Sequence, residues 1–138
     1  FGKIPLAFSA RCFTARHYDL NKDDCQFKCL DHAEGLTLKT REGQDFLAIN
    51  GIQTMSAQSY NLLHEIPEML KMGIDIVRIS PQKDHINAII AAFDATRRGE
   101  SVNVGSRAWN ASGLVDGYWF GDAGIVQHHA QALAQLGA

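Results

Sequence analysis

The segment IDIVRISPQKDHINAIIAAFDATRR, residues 74–98, decides the expected fold because it joins an apolar run to an amphipathic stretch. Residues 74–80 are mostly apolar, which predicts a strand. Residues 84–98 carry apolar side chains at helical spacing, with Asp84 as the expected N-cap and Gly99 as the stop. A strand followed closely by a helix is typical of parallel α/β proteins.

The neighbouring segments extend this pattern in both directions. Residues 4–10 are almost continuously apolar and predict a strand, and residues 36–40 and 45–50 predict a β-hairpin around Gly43. Two further helices are predicted, over residues 66–72 and 123–136.

These elements are too few for a closed barrel, which has eight strands in about 250 residues. The predicted fold class is therefore α/β, as a partial TIM-barrel-like parallel sheet with flanking helices and a β-hairpin. An apolar strand begins almost at Phe1. We expect residues 1–138 to be a single domain that is either one half of a longer barrel-like protein or a chain whose first residues are missing.

Composition limits the possible classes of protein. The chain has 138 residues, of which 46% are hydrophobic and 20% charged, as in globular domains. A formal net charge of −2 argues against a nucleic-acid-binding module, which normally presents a basic face. No apolar run approaches the roughly 20 residues that span a bilayer. We expect no transmembrane segment and a cytoplasmic location.

All three cysteines lie near the start of the chain, at Cys12, Cys25 and Cys29, in the pattern C-x12-C-x3-C. An odd number cannot complete an internal disulfide framework. Thiolates bind zinc or iron–sulfur clusters, and Arg11 would favour the thiolate form. We therefore predict a metal or cluster site, with inert or redox-active thiols as the alternative. The fourth ligand could be His17, His32 or a residue outside this chain.

Other polar and aromatic groups have two interpretations. Asn50, Gln53, Thr54 and Ser56 follow a strand, where they could form a pocket floor or only turn contacts around Gly51. The aromatic run at residues 118–120 favours core or lid packing over a ring-binding platform. His128 and His129 are adjacent on the last predicted helix and would point in different directions, so a shared metal is not expected.

Several motifs carry a resemblance to a known family. The stretches PLAFSARCFTAR (residues 5–16) and LAINGIQTMS (residues 47–56) resemble the UbiV-like subfamily of the collagenase-like peptidase family. Weaker likeness continues in VRISPQ at residues 77–82 and GYW at residues 117–119. The resemblance covers most of the chain and implies that residues 1–138 are the C-terminal half of a longer barrel-like protein.

The resemblance implies an iron–sulfur protein that supports oxygen-independent hydroxylation in anaerobic ubiquinone biosynthesis. It implies a [4Fe–4S] cluster with Cys12, Cys25 and Cys29 as three ligands and the fourth expected outside this chain. It also implies a UbiU-like sister protein, a lipid-binding accessory protein and a ubiquinone precursor as partners. The chain would then be a subunit of an oxygen-independent hydroxylase.

Two other functions are compatible with the residues. One is a collagenase-like peptidase, although neither a G-x-S-x-G nor an H-E-x-x-H motif occurs in the sequence. The other is a non-catalytic zinc-binding scaffold module. The sequence identifies no catalytic residue.

Overall fold

The computed structural model describes residues 1–21, 23–104 and 108–129. Backbone contacts divide the chain into two compact units. The first unit is Lys3–Gln58, and the second combines Phe1–Gly2 with the chain from Ser59 onward. Whether these units form the expected single domain stays a prediction, and each unit is described by itself.

The regular elements are short. The strands are β1 Gly2–Phe8, β2 Leu36–Lys39, β3 Asp45–Asn50, β4 Gln53–Tyr60 and β5 Leu114–Val115. The α-helices are α1 Phe13–His17, α2 Ile66–Lys71 and α3 Ile86–Arg97. Single turns of 3-10 helix cover Lys28–Asp31, Leu63–Glu65 and Gly117–Phe120.

The sheet of the first unit has the strand order β1-β4-β3-β2. The hairpin prediction is confirmed: β2 and β3 pair antiparallel with Leu36 opposite Ile49. The strand β3 then turns at Gly51 (φ 60°) and pairs antiparallel with β4, with Asn50 opposite Gln53. A left-handed turn residue suits glycine, because no Cβ clashes with the backbone. Two tight turns therefore connect three neighbouring strands in an antiparallel meander.

The prediction of a partial TIM-barrel-like parallel sheet is wrong, because the sheet is antiparallel and the fold is mixed α/β. Its central strand, β4, reads QTMSAQSY and is too polar to be recognised as a strand. This strand lies between β3 and β1, and the Ser9 N–H donates to the Ile52 carbonyl at 2.8 Å. The short strand β5 pairs parallel with β4, where Ser59 of β4 faces Leu114.

The strand expected over residues 74–80 is also absent from the described secondary structure. Two hydrogen bonds of 2.8 Å join this segment to Phe1. The Phe1 backbone nitrogen donates to the Arg78 carbonyl, and the Ser80 N–H donates to the Phe1 carbonyl. Gly2 follows at φ 132°, and a Cβ there would lie 2.6 Å from Ser80 Cβ. Two bonds alone do not make a strand ladder.

The helix predictions are confirmed for α2 and α3, whose bounds differ by a residue or two from those expected. The expected cap at Asp84 is wrong, because His85 (φ 64°) occupies the N-cap position and makes no side-chain capping bond. Residues 123–127 of the last expected helix are not helical, and the helix starts at His128. Its continuation over residues 130–136 lies outside the described residues. No helix in the described ranges is long and apolar enough to cross a membrane.

The core of the second unit forms where α2 packs on α3. Its buried members are Leu63, Ile66, Met69, Ile89, Ala92 and Phe93. Leu63 and Ile89 are fully buried, and each such side chain contributes about 1.5–3 kcal/mol through removal from water. This core fixes the 3-10 turn at Leu63–Glu65, which carries two polar side chains of functional interest.

Candidate functional site

Cys12 is the N-cap residue of α1 in the first unit. Its backbone is extended (φ −71°, ψ 113°), and its Sγ accepts a hydrogen bond from the Ala15 N–H at 3.4 Å. The helix is fixed to the β3–β4 turn, because the Phe13 N–H donates to the Gly51 carbonyl at 2.8 Å. The Gly51 N–H in turn donates to buried Thr14 Oγ1 at 3.0 Å. The sulfur is therefore placed by a helix that the hairpin holds in position.

A cleft of about 480 Å³ opens beside this sulfur. Its lining residues are Ala10, Arg11, Cys12, Ala15, Arg16, Leu20 and Asn21. Arg11 and Arg16 are exposed and bring two positive charges to the opening. A thiol beside two guanidinium groups suits a soft metal centre or an anionic ligand.

Cys25 and Cys29 lie on the loop that follows, with Cys29 inside the 3-10 turn Lys28–Asp31. Between them, Gln26 (φ 51°) and Phe27 (φ 48°) both have left-handed backbones. This conformation costs a non-glycine residue on the order of 1 kcal/mol or more. All three thiols are free and partly exposed. The loop between the second and third cysteine is therefore strained.

The cysteine and histidine side chains are suitable metal ligands, but the described structure does not bring enough of them together. Within residues 1–21, 23–104 and 108–129, no group of three or more His, Cys, Asp or Glu side chains could hold a metal ion. His32 Nε2 is hydrogen-bonded to the Tyr18 hydroxyl, and the His17 ring packs edge-on against Tyr18 at 5.1 Å. The ligand roles of the three cysteines remain predictions.

The polar group after β3 mainly supports the sheet. Asn50 and Gln53 face each other across the hairpin turn, and Thr54 faces Ile49. Ser56 Oγ accepts from the Ile4 N–H and donates to the Gln58 carbonyl at 2.7 Å. These contacts favour the turn and sheet interpretation over a pocket floor.

A second polar cluster, in the second unit, was not singled out by sequence reasoning apart from its two terminal histidines. We call it the His–Glu cluster and define it as His64, Glu65, Asp116, His128 and His129. Glu65 Oε1 lies 2.7 Å from His129 Nε2, and the His64 and His129 rings are 4.7 Å apart. These residues are far apart along the chain, so spacing gives no signal for them. In the sequence, the adjacent residues His128 and His129 are the one indication of this cluster.

One buried carboxylate organises this cluster. Asp116 is 2% exposed, and its two oxygens accept from the His128 N–H at 2.7 Å and the His129 N–H at 3.2 Å. Its own N–H and that of Gly117 donate to the Val126 carbonyl at 3.1 and 3.0 Å. A Cβ on Gly117 would lie 2.0 Å from the Ala123 carbonyl oxygen. The loop that presents both histidines is thus tightly closed.

The two imidazoles at the centre have different surroundings. Burial lowers the pKa of His64, and the neighbouring His129 lowers it further, whereas Glu65 and Asp116 act in the opposite direction. Burial and the charges of Asp116 and Glu65 raise the pKa of Tyr60, against a backbone hydrogen bond at Trp119. His64 is therefore neutral at neutral pH, while His129 has a carboxylate partner.

His128 is held separately from this pair. Its Nε2 lies 2.8 Å from Asp122 Oδ2, a distance that permits an ion pair. The two atoms are not aligned as a hydrogen bond, and Nε2 makes none to other described protein atoms. His128 and His129 thus have different partners, as expected for adjacent positions on a helix.

The fold and these two sites define a mixed α/β protein with a thiol-bearing cleft and a separate His–Glu cluster. The sequence matches the family model for peptidase family U32 over residues 1–99. The chain belongs to this family. No solved structure is significantly similar to it.

Proposed function

We propose that this chain supplies three thiolate ligands to an iron–sulfur cluster in a UbiV-like protein of anaerobic ubiquinone biosynthesis. The observation that carries the proposal is the cysteine pattern C-x12-C-x3-C, with Cys12 at an open cleft beside Arg11 and Arg16. None of the three thiols is in a disulfide, so all are available as donors. Family U32 membership is compatible with this function and does not specify it.

The backbone strain between Cys25 and Cys29 supports a change in the conformation of this loop when the cluster binds. The three thiols do not form a metal-holding group in the described structure, so binding requires them to come closer together. Gln26 and Phe27 lose left-handed backbone strain if the loop between these cysteines changes conformation. Metal affinity and local folding are commonly coupled in this way.

The chain's own residues have defined parts in this proposal. Cys12, Cys25 and Cys29 bind the cluster, the fourth ligand comes from outside the chain, and the arginines of the cleft offset thiolate charge. A bound [4Fe–4S] cluster supplies one-electron redox chemistry. A UbiU-like sister protein and a lipid-binding accessory protein are the proposed partners, and a ubiquinone precursor is the proposed substrate. The proposed location is the cytoplasm.

The test is metal analysis of the full-length protein prepared without oxygen. Iron and sulfide are measured per chain, and electron paramagnetic resonance identifies the cluster type. The informative variant is Cys12→Ser, because serine preserves the N-cap hydrogen bond of α1 while removing the thiolate. We expect this variant to fold normally and to lose most of its iron.

Unchanged iron content in the Cys12→Ser, Cys25→Ser and Cys29→Ser variants would refute the ligand assignment. Zinc without sulfide in the unmodified protein would instead favour the zinc-binding scaffold. Both results can be read directly from the same samples.

A collagenase-like peptidase is the second candidate, favoured by the match to a peptidase family. Cys12 is the candidate nucleophile, since it is partly exposed at the cleft. This function predicts cleavage of heat-denatured collagen by the metal-free protein, with loss of cleavage in Cys12→Ser. Equal cleavage by that variant would exclude Cys12 as the nucleophile.

A further inference from the structure

We propose that an apolar groove in the second unit binds an aliphatic chain that ends in an ammonium group, with the chain in the groove and the ammonium group on Asp75. The groove lies between α2, α3 and the segment of residues 74–79. No cysteine and no member of the His–Glu cluster lines it, so the proposal goes beyond the proposed iron–sulfur function.

The groove has the size of a single hydrocarbon chain. Its volume is about 230 Å³, and each of its three sides supplies apolar side chains: Met69 and Leu70 from α2, Ile90 and Phe93 from α3, and Ile74 and Val77 from the segment. An apolar cavity of about 150 Å³ holds one benzene molecule, so this groove holds a chain of roughly eight carbon atoms. A helix of a partner protein, about 10–12 Å across, does not fit this volume.

Apolar surface at the groove is exposed to water. Leu70 is 49%, Val77 45% and Ile90 50% exposed. Covering such surface with a hydrocarbon chain is favourable, and the gain grows with the area removed from water. Met69 and Phe93 belong to the buried α2–α3 core, which fixes the two helical walls relative to each other. A bound chain therefore covers exposed apolar surface without disturbing the core.

The charges that line the groove favour a cationic end group. Arg97 Nη2 lies 2.7 Å from Asp94 Oδ1, and Asp94 also pairs with Arg98, so these charges compensate one another. Among the described residues, no hydrogen bond or ion pair involves the Asp75 carboxylate. Arg78, the nearest basic residue along the chain, is not part of the lining. The uncompensated charge of the groove is therefore negative.

An ammonium group complements this carboxylate better than other common end groups. It carries the opposite charge and has three N–H donors, whereas a hydroxyl group has one donor and no charge. A carboxylate at the end of the chain meets a like charge at Asp75 and is repelled. The groove together with Asp75 therefore selects an aliphatic ammonium ion over the corresponding alcohol and acid.

The test uses octylammonium, kept below the concentration at which it forms micelles. Isothermal titration calorimetry with the full-length protein at neutral pH and low salt measures its binding. Octanol and octanoate are the matched probes with a hydroxyl and a carboxylate end group. We expect saturable one-to-one binding of octylammonium, weaker binding of octanol and no detectable binding of octanoate.

One pair of variants tests the end group. Asp75→Asn is expected to weaken octylammonium binding about tenfold, because the counter-charge is lost. Asp84→Asn removes an exposed carboxylate that does not line the groove, and it is expected to change binding less than about twofold. The comparison separates a specific contact from general attraction to a negatively charged protein.

A second pair of variants tests the groove itself. Ile90→Trp places a large side chain in the groove and is expected to abolish binding. Ala91→Trp adds the same side chain at the next position of α3, which is outside the lining, and is expected to leave binding unchanged. Both positions are exposed, and circular dichroism verifies that both variants are folded.

Four outcomes would overturn the proposal. They are no saturable binding of octylammonium, equal binding by Asp75→Asn and the unmodified protein, equal binding by Ile90→Trp and Ala91→Trp, and equal affinity for octylammonium and either matched probe. Because octylammonium binding needs no metal, the same titration on Cys12→Ser keeps this result independent of the proposed iron–sulfur function.

Discussion

The Tyr18 hydroxyl and His32 Nε2 are joined by a hydrogen bond, and their rings are stacked at 5.7 Å. Tyr18 is the C-cap residue of α1, the helix that begins after Cys12. His32 is the C-cap residue of the 3-10 turn that contains Cys29. One side-chain pair thus connects the two elements that carry the first and third cysteines.

Replacing Tyr18 with phenylalanine tests this connection. The ring stack is retained and the hydrogen bond is lost, so the free energy of unfolding should fall by about 0.5–1.5 kcal/mol. Urea denaturation measures the loss, and the rate of Cys29 modification by a thiol reagent should rise. His17→Ala is the matched control, because His17 packs against the same ring edge-on. Equal thiol reactivity in Tyr18→Phe and the unmodified protein would contradict the prediction.

Asp116 should be a major stabilising group of the second unit. Substitution with alanine removes the acceptor of two backbone N–H groups at His128 and His129, at a cost of about 1–3 kcal/mol. Asp116→Asn keeps one oxygen and should lose less. Thermal and urea unfolding measure both variants, and hydrogen exchange at residues 128 and 129 locates the effect. Identical unfolding of the alanine and asparagine variants would argue against the two-bond arrangement.

His64 should make stability depend on pH. Its folded pKa is lowered below the ordinary value of 6.5, mainly by burial. As the pH falls through 6.5, the unfolded chain takes up a proton that the folded chain resists, so the free energy of unfolding decreases. The decrease ends once the pH is below the folded pKa.

Urea midpoints measured from pH 8 to about pH 5 test this dependence, since the histidine change lies in that range. His64→Gln should show a smaller decrease on acidification than the unmodified protein. Parallel pH profiles for the two proteins would show that His64 is not responsible.

Leu63 and Leu70 form a matched pair for the α2–α3 core. Leu63 is fully buried, so Leu63→Ala should lower the free energy of unfolding by about 2–5 kcal/mol through cavity formation. Leu70 is 49% exposed, and Leu70→Ala should change the free energy of unfolding by less than about 1 kcal/mol. Chemical denaturation measures the free energy of unfolding of both variants. Similar losses for both substitutions would contradict the assigned core.

The sequence predicted local elements better than their arrangement. Alternating side chains identified the hairpin, and helical spacing identified α3, because both patterns depend on neighbouring residues. The strand β4 was missed because its buried positions include Gln58 and Ser59, which are polar. Without β4, the alternation of the recognisable strands with helices favours a parallel sheet.

The cysteine site and the His–Glu cluster differ in how far the sequence predicts them, because local patterns do not report long-range contacts. The spacing of the cysteines indicates a metal or cluster site, but it does not give the distances between their sulfur atoms. Glu65 and His129 are brought together across 64 positions by the loop that Asp116 closes, and no local pattern reports such a contact. Side-chain chemistry was readable from the sequence, whereas long-range proximity was not.

The crowding at Gly2 sets a limit on how the first residue of β1 can vary. Its backbone is left-handed, and the space a methyl group would need is already filled by Ser80. At the other end of the same strand, Phe8 is 71% exposed. In a library that replaces each residue in turn, the variants that fold should therefore retain glycine at position 2 but accept most residues at position 8.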